Sequence, residues 1–138
     1  MSRFIKTAGE GEELISELLR RVGKDPELGP QMGKMGLLAA YRCTDPDFTV
    51  WLDTSDGRYD VGVGDPPRPP SVMISYEADT AHKAWLNRVN ATMAITRGTI
   101  KVDGSVTALL RFVPLQAKVA AVYESLLRER GLNELIDV

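Results

Sequence analysis

Three patterns of apolar and polar positions succeed one another along the chain. In the first, Leu14, Ile15, Leu18, Leu19 and Val22 recur at helical spacing, with Glu12, Glu13, Glu17, Arg20 and Arg21 mostly opposite. That is a helix with one buried stripe. Thr7 followed by Glu10 predicts a capping box, and Gly23 predicts the C-terminal stop. Acids come first and Arg20–Arg21 last, as the helix dipole favours. Pro26, Gly29, Pro30, Gly33 and Gly36 then crowd the stretch from Lys24 to Gly36, which reads as a loop with at most a short turn.

The second pattern alternates. Leu37 to Cys43 runs into the turn Asp45-Pro46-Asp47, and Phe48, Val50 and Leu52 share one face of the next strand. Ser55-Asp56-Gly57 signals a hairpin, after which Tyr59, Val61 and Val63 share a face. Asp65-Pro66-Pro67-Arg68-Pro69-Pro70 fits no central strand and reads as a rigid loop before Val72 to Tyr76.

The third pattern mixes periods. Asp79 or Thr80 is placed to cap a helix carrying Ala81, Ala84, Trp85, Leu86 and Val89. Ala91 to Ile95 reads as a short helix ended by Gly98, and Thr99 to Asp103 alternates as a fifth strand closed by Gly104. Val106, Leu109, Leu110 and Val113 mark a helix that Pro114 interrupts, and Leu115, Val119, Val122 and Leu126 continue helically to Gly131. Strands cluster and helices segregate to one side, which predicts an α+β fold. No repeat and no linker divides the chain, so residues 1–138 are expected to form one domain.

Composition narrows the function. With 138 residues, 43% apolar and 26% charged, the chain can hold a core without metal or disulfide staples. Seventeen basic against nineteen acidic residues leave a net charge of −2 and no footprint for nucleic acid. A lone cysteine forms no internal disulfide, and a lone histidine supports no His-based metal site. No apolar run approaches the roughly 20 residues of a bilayer span, and no apolar h-region follows the N-terminus. The expectation is a cytoplasmic protein without stable membrane insertion, in which Cys43 is a reduced core thiol.

Catalytic patterns are missing too. Gly62-Val63-Gly64-Asp65-Pro66-Pro67 begins like a dinucleotide fingerprint, but prolines replace the third glycine and the helix. Asp45, Asp47, Asp53 and Asp56 sit beside turn residues and read as turn formers. His82, in the first turn of its helix, reads as solvated or capping. Ser71, Ser75 and Ser105 lack a nucleophile-elbow neighbourhood. No catalytic residue, metal or cofactor is expected. Met93, Ile95, Ile100, Val102, Leu109, Leu110, Phe112 and Val113 crowd together, which fits either a core or a ligand-binding interior.

The stretch from Ala91 to Gly104 resembles the signature of the type-two sterol carrier, or nonspecific lipid-transfer, domain family. Ala94, Gly98, Ile100, Lys101, Val102 and Gly104 match its positions. Upstream, Asp79 to Val89 with Trp85 resembles the family's acid-capped helix. Downstream, Val106 to Pro114 resembles the helix after the last glycine. Arg88-Val89-Asn90 departs from the pattern, standing where many relatives have a glycine.

The resemblance implies a five-stranded, mostly antiparallel sheet, covered on one face by helices, with an apolar tunnel. It implies a non-catalytic carrier of a fatty acid, acyl-CoA or sterol-like ligand. Trp51, Trp85, Met93, Ile95, Leu109, Phe112 and Val113 are the expected ligand contacts. The alternative is an interaction or dimerisation module, or an accessory subunit presenting a hydrophobic intermediate to a partner enzyme. The extension from Leu115 to Gly131 is expected to cap the apolar interior or to form the face of a homodimer.

Overall fold

Helix α1 spans Ala8–Lys24 in the computed structural model, which describes residues 2–138. Thr7 Oγ1 accepts from the Glu10 backbone N–H at 3.1 Å, so the first half of the capping box forms. The expected stripe, Leu14, Ile15, Leu18, Leu19 and Val22, is buried throughout. The expected stop at Gly23 is corrected, because the helix runs on to Lys24 and Asp25 caps it. Gly23 serves packing instead: a Cβ there would come within 2.3 Å of the Tyr59 ring. The Lys24–Gly36 stretch is also more ordered than expected, since Leu28–Gly33 forms the short helix α2. Asp25 Oδ1 accepts from the N–H groups of Glu27 and Leu28, both at 2.9 Å, and so starts that helix.

The sheet contains β1 (Leu38–Thr44), β2 (Phe48–Asp53), β3 (Asp60–Val63), β4 (Val72–Glu77) and β5 (Ile100–Gly104). Their spatial order is β3-β2-β1-β4-β5. Three pairings are antiparallel, and β1 with β4 is parallel, so the sheet is mixed. The proline-rich loop between β3 and β4 makes that crossover. Its Arg68 donates to both Asp53 oxygens, at 2.8 and 3.0 Å, which ties the loop to the end of β2.

Helices α3 (Ala78–Trp85), α4 (Ala91–Arg97), α5 (Val106–Phe112) and α6 (Gln116–Glu129) complete the fold. Asp79 does not cap α3. It sits in the first turn and accepts from the N–H groups of Arg3 and Phe4, which holds down the N-terminal segment. Helix α6 corrects another expectation. Val119, Tyr123, Leu126 and Leu127 are buried, and α6 packs on α1 and α3. The stripe is therefore spent inside the fold, neither lidding the interior nor facing solvent as a dimer surface. Across the α1–α6 seam, Arg21 pairs with Glu129 and Arg130 with Glu13. Such exposed pairs contribute at most about 1 kcal/mol each.

An apolar cavity between sheet and helices

Alternation decides which side chains meet the helices. Ala39 and Tyr41 of β1 pair with Leu52 and Val50 of β2 on one side, and with Val72 and Ile74 of β4 on the other. These residues point to the helical face, together with Tyr76 and Ile100. The intervening residues Ala40, Trp51, Met73 and Lys101 point to the opposite face.

The helices do not fill the space above this half of the sheet. A cavity of about 840 Å³, including its opening to solvent, remains there. Its floor is Ala39, Tyr41, Leu52, Val72, Ile74, Tyr76 and Ile100. Ala84 and Trp85 of α3, Val89 of the following turn and Ala91 of α4 form one wall. Ala108, Leu109 and Phe112 of α5 form another, and Met32, Met35 and Leu37 close one end. Among the described residues, Thr54 and Gln116 are the only amide or aliphatic hydroxyl side chains in the lining, and no charged side chain reaches it. Small-molecule sites have linings of this kind, mostly apolar with a few polar groups.

Aromatic rings shape the walls. Trp85 meets Tyr41 edge to face at 5.2 Å and Phe112 at 5.8 Å between ring centroids. Trp85 Nε1 is buried without a hydrogen-bond partner among the described residues. Burial pushes the Tyr41 hydroxyl up to about 12 and raises Tyr76 well above the ordinary tyrosine value. Both therefore stay protonated and neutral at physiological pH.

The expected contact residues separate into groups. Trp85, Leu109 and Phe112 line the cavity. Trp51 lies on the other face of the sheet, over Gly62, where an added Cβ would meet its indole at 2.1 Å. Met93 and Val113 are exposed, and Ile95 is half-buried outside the lining. Tyr41, Tyr76, Ile74 and the two methionines line the cavity without having been singled out from sequence. Strand alternation carries a signal for the first three. The methionines lie in and just after α2, in a glycine- and proline-rich stretch without readable periodicity.

The titratable side chains in the lining are those of Tyr41 and Tyr76. Cys43 is buried, and burial pushes its thiol up to about 12, so it is not a thiolate nucleophile. His82 is neither solvated nor a cap, contrary to expectation. It is fully buried, 2.8 Å from the Tyr123 hydroxyl and 2.7 Å from the Leu135 carbonyl. Among the described residues no cluster of three or more His, Cys, Asp or Glu side chains forms a metal site.

The signature glycines occupy the positions their roles require. Gly98 ends α4 in the left-handed region at φ 79°, and the chain enters β5 two residues later. Gly104 ends β5 at φ 110°, where a Cβ would come within 2.3 Å of the Ser71 carbonyl oxygen.

The model of the SCP-2 sterol transfer family matches residues 15–117, which take in the second part of α1, the whole sheet and all of the cavity's walls. The chain belongs to that family of lipid-binding domains. Its fold is similar to the solution structure of sterol carrier protein domain 2 of Helicoverpa armigera, with 14% identity and a TM-score of 0.67. That likeness covers 87% of this chain and 94% of the insect domain. It is also similar to the apo form of sterol carrier protein 2 from Yarrowia lipolytica, with 18% identity and a TM-score of 0.61, over 88% of this chain and 96% of that one. A third likeness, with 20% identity and a TM-score of 0.54, is to the sec-alkylsulfatase Pisa1 from Pseudomonas sp.. It covers 62% of this chain but 14% of the sulfatase. No curated protein sequence matches the chain.

Proposed function

We propose that residues 1–138 act as one carrier domain that holds a fatty acyl, acyl-CoA or sterol-like ligand in the cavity and does no chemistry on it. The observation that carries this reading is a space between sheet and helices that the described residues line with apolar and aromatic side chains, without a single charged group. A carboxylate or a coenzyme headgroup finds no countercharge inside, so the apolar part of the ligand enters and any charge stays at the mouth. Trp85, Leu109 and Phe112 are its contacts among the expected residues. Burying about twelve methylenes yields roughly 10 kcal/mol gross at about 0.8 each. Association costs of roughly 4–15 kcal/mol remove much of that, which favours micromolar or weaker affinity and ready release. The buried free thiol of Cys43 is in keeping with work in the cytoplasm.

Titration with a fluorescent fatty acyl probe tests the reading. The expected result is saturable binding, displaced by unlabelled fatty acid or sterol and accompanied by a change in Trp85 emission in a Trp51→Phe background. Absence of saturable binding would reject it.

A further inference from the structure

The chain has four tyrosines, and the fold treats them unequally. The Tyr59 hydroxyl donates to the Leu19 carbonyl at 2.7 Å, and the Tyr123 hydroxyl meets His82 Nδ1 at 2.8 Å. Tyr41 and Tyr76 are buried to 9% and 8% exposure, yet neither hydroxyl makes a hydrogen bond to a partner among the described residues. Both of these tyrosines line the cavity. A buried hydroxyl is ordinarily paired, so the two left over point to a partner that enters the cavity.

The two rings stand on one face of adjacent strands. Tyr41 of β1 pairs with Ile74 of β4, and Tyr76 follows Ile74 by two residues. Trp85 closes the same corner from α3, edge to face with Tyr41 at 5.2 Å. Its Nε1 is the one fully enclosed side-chain nitrogen or oxygen without a partner among the described residues. Burial is the largest influence on the Tyr76 hydroxyl; Tyr41 adds to it and the Trp85 indole opposes it, so both side chains lie within electrostatic reach of that hydroxyl. Thr54, also in the lining, is already partnered: its Oγ1 donates to the Leu37 carbonyl at 3.1 Å and accepts from the Leu37 N–H at 3.2 Å.

Each tyrosine hydroxyl brings one hydrogen and two lone pairs, whereas the indole brings a hydrogen and no lone pair. A carbonyl oxygen brings two lone pairs and no hydrogen. If it accepts from both tyrosines, the Tyr76 oxygen is turned to accept from Trp85 Nε1, and every donor in the corner is paired. A hydrocarbon would leave these hydrogens unpaired. A carboxylate would find no countercharge in the lining. We propose that Tyr41 and Tyr76 are specificity-determining residues, which select a lipid carrying a neutral carbonyl, as in a ketone or an ester, within its buried apolar part. Trp85 backs Tyr76 from the wall. This selection deepens the carrier reading and rests on it.

Two neutral fluorescent probes test the selection on the full chain: laurdan, a naphthyl ketone with a lauroyl chain, and diphenylhexatriene, a hydrocarbon. Laurdan bound to the wild type should emit to the red of its emission in hexane, because its carbonyl is hydrogen-bonded. Tyr41→Phe and Tyr76→Phe should each lower laurdan affinity by about fivefold and leave diphenylhexatriene affinity unchanged. Neither substitution strands a protein partner, so circular dichroism should show both variants folded. Three results would overturn the selection and leave the carrier reading standing. They are hexane-like emission from laurdan bound to the wild type, variants that shift both probes alike or neither, and a wild type that binds a fluorescent fatty acyl probe but not laurdan. Wild type that binds none of the three probes would reject the carrier reading, and the selection with it.

Discussion

His82 Nδ1 lies 2.8 Å from the Tyr123 hydroxyl, joining α3 to α6 inside the core, while His82 Nε2 lies 2.7 Å from the Leu135 carbonyl. A carbonyl only accepts, so Nε2 carries the hydrogen and Nδ1 accepts from the tyrosine. The neutral ring satisfies every partner. Burial lowers the His82 pKa from its ordinary 6.5, with the Leu135 carbonyl and Asp79 opposing the shift and Arg88 and Lys83 adding to it.

The unfolded chain then binds this proton more readily than the folded one. Stability should therefore be complete above the ordinary histidine range and fall as pH drops through about 6.5. Urea midpoints measured from neutral pH down to about pH 5 should show that slope in the wild type. The slope should be shallower in His82→Gln. Equal slopes in the two proteins would show that His82 is not the group responsible.

The two signature glycines predict unequal costs. At Gly98 a Cβ meets nothing within 4 Å, so Gly98→Ala costs only the left-handed backbone, about 1–2 kcal/mol. At Gly104 a Cβ comes within 2.3 Å of the Ser71 oxygen and 3.0 Å of the Val72 Cα, both backbone, as well as facing a φ of +110°. Gly104→Ala should cost more, about 3 kcal/mol, by separating β4 from β5. Denaturant unfolding of the two variants checks the order.

Filling the cavity should weaken binding without unfolding the protein. Leu109 is half-buried and faces open space, so Leu109→Trp occupies volume that the ligand would use. Loss of room for two methylenes is worth about 1.6 kcal/mol, or more than tenfold in affinity for an acyl probe. Trp51→Phe, on the far face of the sheet, should leave that affinity unchanged. Probe titration of both variants distinguishes this arrangement from binding on the open sheet face.

Much of this architecture is legible locally. The stripe of α1, the alternation of Phe48, Val50 and Leu52, and the Gly98 and Gly104 stops follow from spacing and backbone conformation alone. Alternation also puts Trp51 opposite Val50 and Leu52, which is the side where the structure has it. Long-range partners are what spacing does not reveal. Gly23 looks like a helix stop because nothing nearby in sequence announces the ring of Tyr59. His82 looks exposed because Tyr123 and Leu135 arrive from 41 and 53 residues away. The stripe of α6 reads equally as lid, dimer face or core, and the packing of α1 and α3 against it decides for core. The cavity itself is a mismatch between helices and sheet, a property of no single segment.

Native mass spectrometry of the protein purified from cells without added lipid tests the carrier claim most directly. The account predicts a population carrying one hydrophobic small molecule, lost on gentle activation and absent or much reduced in Leu109→Trp. Protein that is uniformly empty, or that carries the same adduct in wild type and Leu109→Trp, would contradict a ligand seated between the sheet and α5.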